Sequence, residues 1–142
     1  MTRRVVRAVL SGSFRRDITG LKRAYDELVT CGCQVLSPHR LDFDDTKVLF
    51  VRDSAEKSFD EEFLERHHLL AIKQADFLWV YAPEGYMGRS TAFEIGYALA
   101  SNVPVFSMQP IDDPGIAPFV RVVPSVYEAI CNVSQTEPAQ AR

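Results

Sequence analysis

The run Ala75-Asp76-Phe77-Leu78-Trp79-Val80-Tyr81-Ala82 constrains the fold more than any other stretch of the chain. It is a short apolar run, rich in aromatic and aliphatic side chains, and it reads as a strand of a parallel sheet covered on both faces. Pro83, Gly85 and Gly88 then break the chain into a loop, and Ser90 or Thr91 is placed to cap a helix from Thr91 to Ser101. Open α/β sheets bind ligands at the carboxyl edge of their strands. Glu94, in the expected first turn of that helix, would stand at this edge.

The rest of the chain repeats the alternation. Val5 to Leu10 reads as a first strand, Ile18 to Cys31 as a helix, Cys33 to Ser37 as a second strand and Phe59 to Gln74 as a long helix. Asp76 to Ala82 is the third strand, Val103 to Ser107 the fourth and Phe119 to Val123 a fifth, followed by a short helix from Ser125 to Cys131. Strands separated by helix-length segments imply βαβ units. The expected fold is α/β, a single Rossmann-like (flavodoxin-like) domain over residues 1–133 with a parallel sheet of about five strands and helices on both faces. Residues 134–142 are polar and rich in small side chains, the composition of a disordered tail.

Composition narrows the function. The 142 residues are 46% hydrophobic and 25% charged, enough for one soluble core. A net charge of −3 offers no excess of cations to neutralise a nucleic-acid backbone. No apolar run approaches membrane-spanning length, and Arg3, Arg4 and Arg7 flank a strand-length segment rather than the apolar core of a signal peptide. The three cysteines, Cys31, Cys33 and Cys131, match neither a zinc nor a Cys-x-x-Cys redox spacing, so reduced thiols in the cytoplasm are expected.

Two loops carry candidate chemistry. After the first strand comes Gly12-Ser13-Phe14-Arg15-Arg16. Gly12 permits close backbone approach, Ser13 offers a hydroxyl, and Arg15 or Arg16 can fork onto phosphate oxygens. The loop is neither a dinucleotide fingerprint nor a Walker loop, and a tight turn with two solvated arginines is the competing reading. The long connection from Pro38 to Ser58 has the length of a functional lid and carries Asp42, Asp44, Asp45 and Asp53. Asp42-x-Asp44-Asp45 lacks the glycine and closing glutamate of a calcium loop, and His67 and His68 are adjacent on a helix, so no metal site is expected.

Glu94 itself has an ordinary alternative, because Thr91-Ala92-Phe93-Glu94 fits a helix capping box. The small residues Gly96, Ala98 and Ala100 favour close packing of this helix on the sheet, a setting a surface cap would not need.

Glu94-Ile95-Gly96-Tyr97-Ala98 after a glycine-bearing loop resembles the signature of the nucleoside 2-deoxyribosyltransferase superfamily, which includes nucleoside 5′-monophosphate N-glycosidases. Leu10-Ser11-Gly12-Ser13-Phe14-Arg15-Arg16 is similar to the phosphate loop of its nucleotide-hydrolysing branch, and Lys73-Gln74-Ala75-Asp76 to the junction that opens the strand before the glutamate loop. The resemblance runs from about Val5 to Phe106. It implies cleavage of an N-glycosidic bond without a cofactor, with Glu94 as nucleophile and Asp76 as the matching acid. His68 falls where many of the hydrolases carry a catalytic aspartate. The loop from Gly12 to Arg16 would hold a 5′-phosphate, Phe43 would stack on the base, and Gly88, Arg89 and Ser90 would touch sugar or phosphate. A small-molecule nucleotide or nucleoside as substrate and a homodimer or larger assembly are implied by the same resemblance.

The chain departs from the family pattern in three places. A first-strand tyrosine is replaced by Val9 or its neighbour, Gly88 stands where serine or aspartate is usual, and Pro114 to Phe119 carries no serine for a neighbouring subunit's phosphate site. Nucleoside deoxyribosyl transfer is the enzymatic alternative. A nucleotide-sensing module without catalysis is the other.

Overall fold

The computed structural model describes residues 4–13, 15–39 and 60–140, with side chains described as far as Gln135. Five parallel strands form one sheet: β1 (Arg7–Gly12), β2 (Gln34–Ser37), β3 (Phe77–Tyr81), β4 (Val105–Ser107) and β5 (Arg121–Val122). Their order across the sheet is β2-β1-β3-β4-β5, the flavodoxin-like order, whose reversal next to β1 opens a crevice at the carboxyl edge. Four helices connect them: α1 (Ile18–Thr30), α2 (Glu61–Gln74), α3 (Arg89–Ala100) and α4 (Val126–Gln140). The domain is thus the single Rossmann-like α/β unit the sequence predicts.

Side-chain alternation along each strand sorts the core into two halves. Ala8 and Leu10 of β1, Phe77 and Trp79 of β3 and Phe106 of β4 meet Leu21, Ala24 and Leu28 of α1 and Val126 and Ala129 of α4. Val9, Leu78, Val80 and Val105 face the other way, onto Ala71 and Ile72 of α2 and Ile95 and Ala98 of α3. Helices therefore cover both faces, and the next position after Val9 on the α2/α3 face is Ser11.

Several boundaries move. The first strand begins at Arg7, two residues later than expected, and ends at Gly12. The last helix runs on to Gln140, through residues whose composition reads as tail. The helix bearing Glu94 starts at Arg89, with Gly88 at its N-cap and no side-chain cap. Thr91 is consequently a buried residue inside the helix, and Glu94 lies in its second turn rather than its first. The capping box does not form. Nor do the small residues act as expected, since Gly96 is exposed with open space around it and Ala100 is exposed as well, leaving Ala98 alone against the sheet.

The loop after β1 is tied at both ends. Asp17 caps α1 by accepting a hydrogen bond from the Gly20 amide at 3.0 Å, and the Tyr81 hydroxyl at the end of β3 donates to the same carboxylate at 2.5 Å. Gly12 pairs with Tyr81 in the sheet, and a Cβ on Gly12 would stand 2.9 Å from the Tyr81 carbonyl oxygen and 3.0 Å from Leu21 Cδ1. The close approach that Gly12 permits is therefore to the neighbouring strand.

Because the obstructing atom is backbone, Gly12→Ala is expected to destabilise the fold by about 1–3 kcal/mol, the range for overpacking a tight interior. Denaturant titration of the variant checks this; stability equal to wild type would mean that β1 and β3 separate at no cost there.

Candidate active site

Four segments converge beneath the carboxyl edge of the sheet. Ser11 sits near the end of β1, Ser37 ends β2, Glu65 and His68 come from the middle of α2, and Glu94 from α3. Glu65 and His68 are three residues apart on one helix, a spacing that puts both on the same face. Ser11 is 2%, Ser37 6% and Glu94 6% exposed, so the polar groups meet out of bulk water.

The hydrogen bonds form a chain centred on Glu94. The Ser11 hydroxyl donates to Glu94 Oε1 at 2.7 Å, and His68 Nε2 lies 3.4 Å from the same oxygen. His68 Nε2 is also 3.3 Å from Ser11 Oγ, while its Nδ1 is 2.6 Å from Ser37 Oγ. Both ring nitrogens are thereby engaged, which fixes the imidazole plane between β2 and α3. Glu65, from the α2 side, is near enough to Glu94 for each carboxyl to act on the other's charge state.

These contacts set the charge states. Burial, the largest single influence, acts to raise the Glu94 pKa, but the His68 charge and hydrogen bonds from His68, Glu65 and Ser11 outweigh it and hold the carboxyl below its ordinary value. Glu65 goes the other way. Burial first, then the hydrogen bond to Glu94 and the repulsion of its charge, push Glu65 up to about 8, with His68 opposing. The two carboxyls are thus pushed in opposite directions, Glu94 toward its ionised form and Glu65 toward its protonated form, the division of roles that acid–base and nucleophilic chemistry need.

The phosphate-loop candidates open directly from this cluster, since Gly12 follows Ser11. Ser13 Oγ accepts from the Arg16 amide at 3.2 Å, which shapes the turn. Arg15 and Arg16 are exposed, and the Arg16 guanidinium lies 4.1 Å from the centre of the Tyr86 ring. That stacking joins the loop after β1 to the loop before α3. Gly88 supplies the N-cap of α3, Arg89 is exposed and Ser90 half-buried at its start. Phe14, Phe43 and the aspartates of the long connection lie outside the described residues.

Asp76 is a correction. It precedes β3 and so stands at the amino edge of the sheet, separated from the Glu94 cluster by a strand of five residues, roughly 16 Å at the usual rise. Its carboxylate accepts from the Arg7 amide at 2.7 Å and from Arg4 Nη1 at 3.0 Å to each oxygen. Asp76 ties the N-terminal segment to β3 and takes no part in the site.

The structure brings the sequence candidates Glu94 and His68 into one cluster and joins to them Ser11, Ser37 and Glu65, which the sequence does not single out. A signal for Glu65 existed in its spacing from His68. The signal for Ser11 was a hydroxyl where strand alternation called for an apolar residue. Among the described residues, no group of three or more His, Cys, Asp or Glu side chains is arranged to hold a metal ion, and no helix is long and apolar enough to cross a membrane. The three cysteines are free thiols.

No protein-family model matches the chain, and no curated protein matches it.

Asp76→Asn keeps the shape but removes the charge that Arg4 and the Arg7 amide hold. A loss of about 1.5–3 kcal/mol in stability is expected, as for hydrogen bonds to a charged group. The chemistry at Glu94 should continue at close to the wild-type rate once the protein is folded. Thermal unfolding and turnover measured on the same preparation check both parts, and a large loss of turnover without a loss of stability would return Asp76 to the site.

Proposed function

We propose that the protein is an N-glycosidase acting on a nucleoside 5′-monophosphate or a close relative. The observation that carries this reading is Glu94, a buried carboxylate kept ionised by Ser11 and His68 at the carboxyl edge of the sheet. A carboxylate so held is a nucleophile rather than a proton donor. The resemblance to the nucleoside 2-deoxyribosyltransferase superfamily points to the same residue. The loop from Gly12 to Arg16, which begins one residue beyond the Glu94 partner Ser11, carries two exposed cations able to fork onto a 5′-phosphate, and this supports the monophosphate.

In this reading Glu94 attacks C1′ of the sugar, a C1′–oxygen bond forms as the bond to the base breaks, and the base leaves with the electron pair. Water then displaces Glu94 from C1′, giving overall retention. A second nucleobase in place of water would make the reaction a transfer. His68, held by Ser37, positions Ser11 and Glu94 and supports the negative charge before attack. The transferase reading and the sensing module share this pocket and differ in the fate of the bound ligand.

Incubating the protein with nucleosides and their 5′-monophosphates, with and without a free acceptor base, separates these outcomes by chromatography of the released base. Glu94→Gln, which still accepts from Ser11 but cannot form the glycosyl ester, is expected to keep its fold and lose base release almost completely. Arg15→Ala is expected to weaken use of the monophosphate by about 1.5–3 kcal/mol, roughly ten- to 150-fold, and to spare the bare nucleoside. Undiminished base release by Glu94→Gln contradicts the nucleophile. Ligand binding with no turnover of any substrate by wild type would favour the sensing module.

A further inference from the structure

With Asp76 at the far edge of the sheet, the acid that the resemblance matches is absent from the cluster, and His68 has both ring nitrogens engaged, Nδ1 with Ser37 at 2.6 Å and Nε2 with Glu94 Oε1 at 3.4 Å. The cluster contains an acid that the motifs do not mark. Glu65 is half-buried on α2, on the helix face that also carries His68, and its Oε2 is shut off from solvent without any hydrogen-bond partner among the described residues. A buried carboxylate oxygen that meets no donor is strongly disfavoured, and an atom so placed in a folded protein calls for an explanation, a catalytic role among them. A proton on the carboxyl resolves the conflict, because the neighbouring group is the Glu94 carboxylate, which accepts it. Two carboxylates in contact do not both ionise. Ser11 and His68 both approach Glu94 Oε1, which assigns the charge to Glu94 and the proton to Glu65.

We propose that Glu65 is the general acid that protonates the departing nucleobase, and afterwards the base that activates water, with its proton parked against Glu94 until the nucleophile attacks. This rests on the N-glycosidase reading above.

The coupling comes from the charge that holds the proton. As Glu94 forms its bond to C1′ it becomes an ester and loses its negative charge, so the repulsion that keeps Glu65 protonated falls away and Glu65 becomes a stronger acid. At that moment electron density builds on the base nitrogen. The proton passes from Glu65 to the base, which departs neutral, and Glu65 is left as carboxylate beside the glycosyl ester. In the second half Glu65 takes a proton from water while the water oxygen bonds to C1′ and the bond to Glu94 breaks. Glu94 regains its charge, and Glu65 again holds its proton. Among the described residues, the groups that bear on Glu65 are Glu94 from α3 and His68 from its own helix, and Ser11 of β1 meets Glu94. Arg66 and Glu62 pair with each other at 2.8 Å on the exposed side of α2.

The test is the dependence on leaving group. A purine nucleoside 5′-monophosphate needs a proton on its departing base, whereas its N7-methylated counterpart carries a cationic base that leaves without one. Glu65→Gln should lose at least about a hundredfold in single-turnover cleavage of the unmodified nucleotide, the scale of general acid catalysis. Cleavage of the N7-methylated nucleotide should fall no more than a few-fold, which also reports that the variant is folded. In wild type, cleavage of the unmodified nucleotide should be present below pH 8 and decline as pH rises through about 8, where Glu65 gives up its proton. The N7-methylated substrate should show no such decline. Equal losses on both substrates, or none on either, would overturn the acid role while leaving the N-glycosidase reading standing. Release of no base from either nucleotide by wild type would overturn both. Carboxyl carbon NMR of wild type adds a readout independent of turnover: a Glu65 signal titrating in the ordinary glutamate range would overturn the proposal by itself.

Discussion

A negative charge on Glu94, inside the protein and 6% exposed, is the constraint on which the rest of the site depends. Removing a carboxylate from water costs several kcal/mol even after a protein has relaxed around it. Here the Ser11 hydroxyl at 2.7 Å and His68 at 3.4 Å offset that penalty. Each of those partners is placed by a different element. Ser11 requires β1 to end where it does, and His68 requires α2 to run beside α3 with Ser37 at its other ring nitrogen. The order β2-β1-β3 brings these pieces to one edge, so the topology and the electrostatics of the site are one arrangement.

The second carboxyl gives this arrangement its chemical direction. Glu65 acts on the same carboxylate, but its Oε2 meets no donor among the described residues, so the two glutamates are pushed toward opposite protonation states by their surroundings and not by any difference in side chain. The Arg16–Tyr86 stacking at 4.1 Å connects the loop after β1 with the loop before α3. Asp76, by contrast, works at the amino edge, where Arg4 and the Arg7 amide hold it and the N-terminal segment together. The two edges of the sheet divide this anchoring from the Glu94 cluster.

Much of the fold was legible because its signals are local. The apolar run of β3 and the turn residues after it need no knowledge of distant partners, and the apolar run that reads as the first strand forms β1, whose Ala8 and Leu10 face one half of the core and Val9 the other. Glu94 and His68 were legible through their place in a motif. Ser37 was not, since its importance comes from His68, 31 positions away in sequence, and Glu65 was marked only by its i,i+3 spacing from His68, its other neighbour Glu94 lying 29 positions away. The error over the start of α3 has a physical source: Gly88 at an extended φ of −85° and ψ of −178° lets the helix begin at Arg89 without a side-chain cap, and the hydroxyls that look like caps fall inside it. The error over Asp76 came from reading an acid at a strand start as part of the site, although the amino edge of a parallel strand faces away from the crevice.

The central claim is that Glu94 bonds covalently to the sugar. A nucleoside 5′-monophosphate bearing fluorine at C2′ slows the oxocarbenium-like steps, so that a glycosyl ester accumulates and can be weighed. Intact-protein mass spectrometry with subsequent peptide mapping should find one sugar phosphate on the peptide containing Glu94, and none when Glu94→Gln is treated in the same way. Base release with no adduct at Glu94, or an adduct on Ser37 or Glu65 instead, would contradict the account.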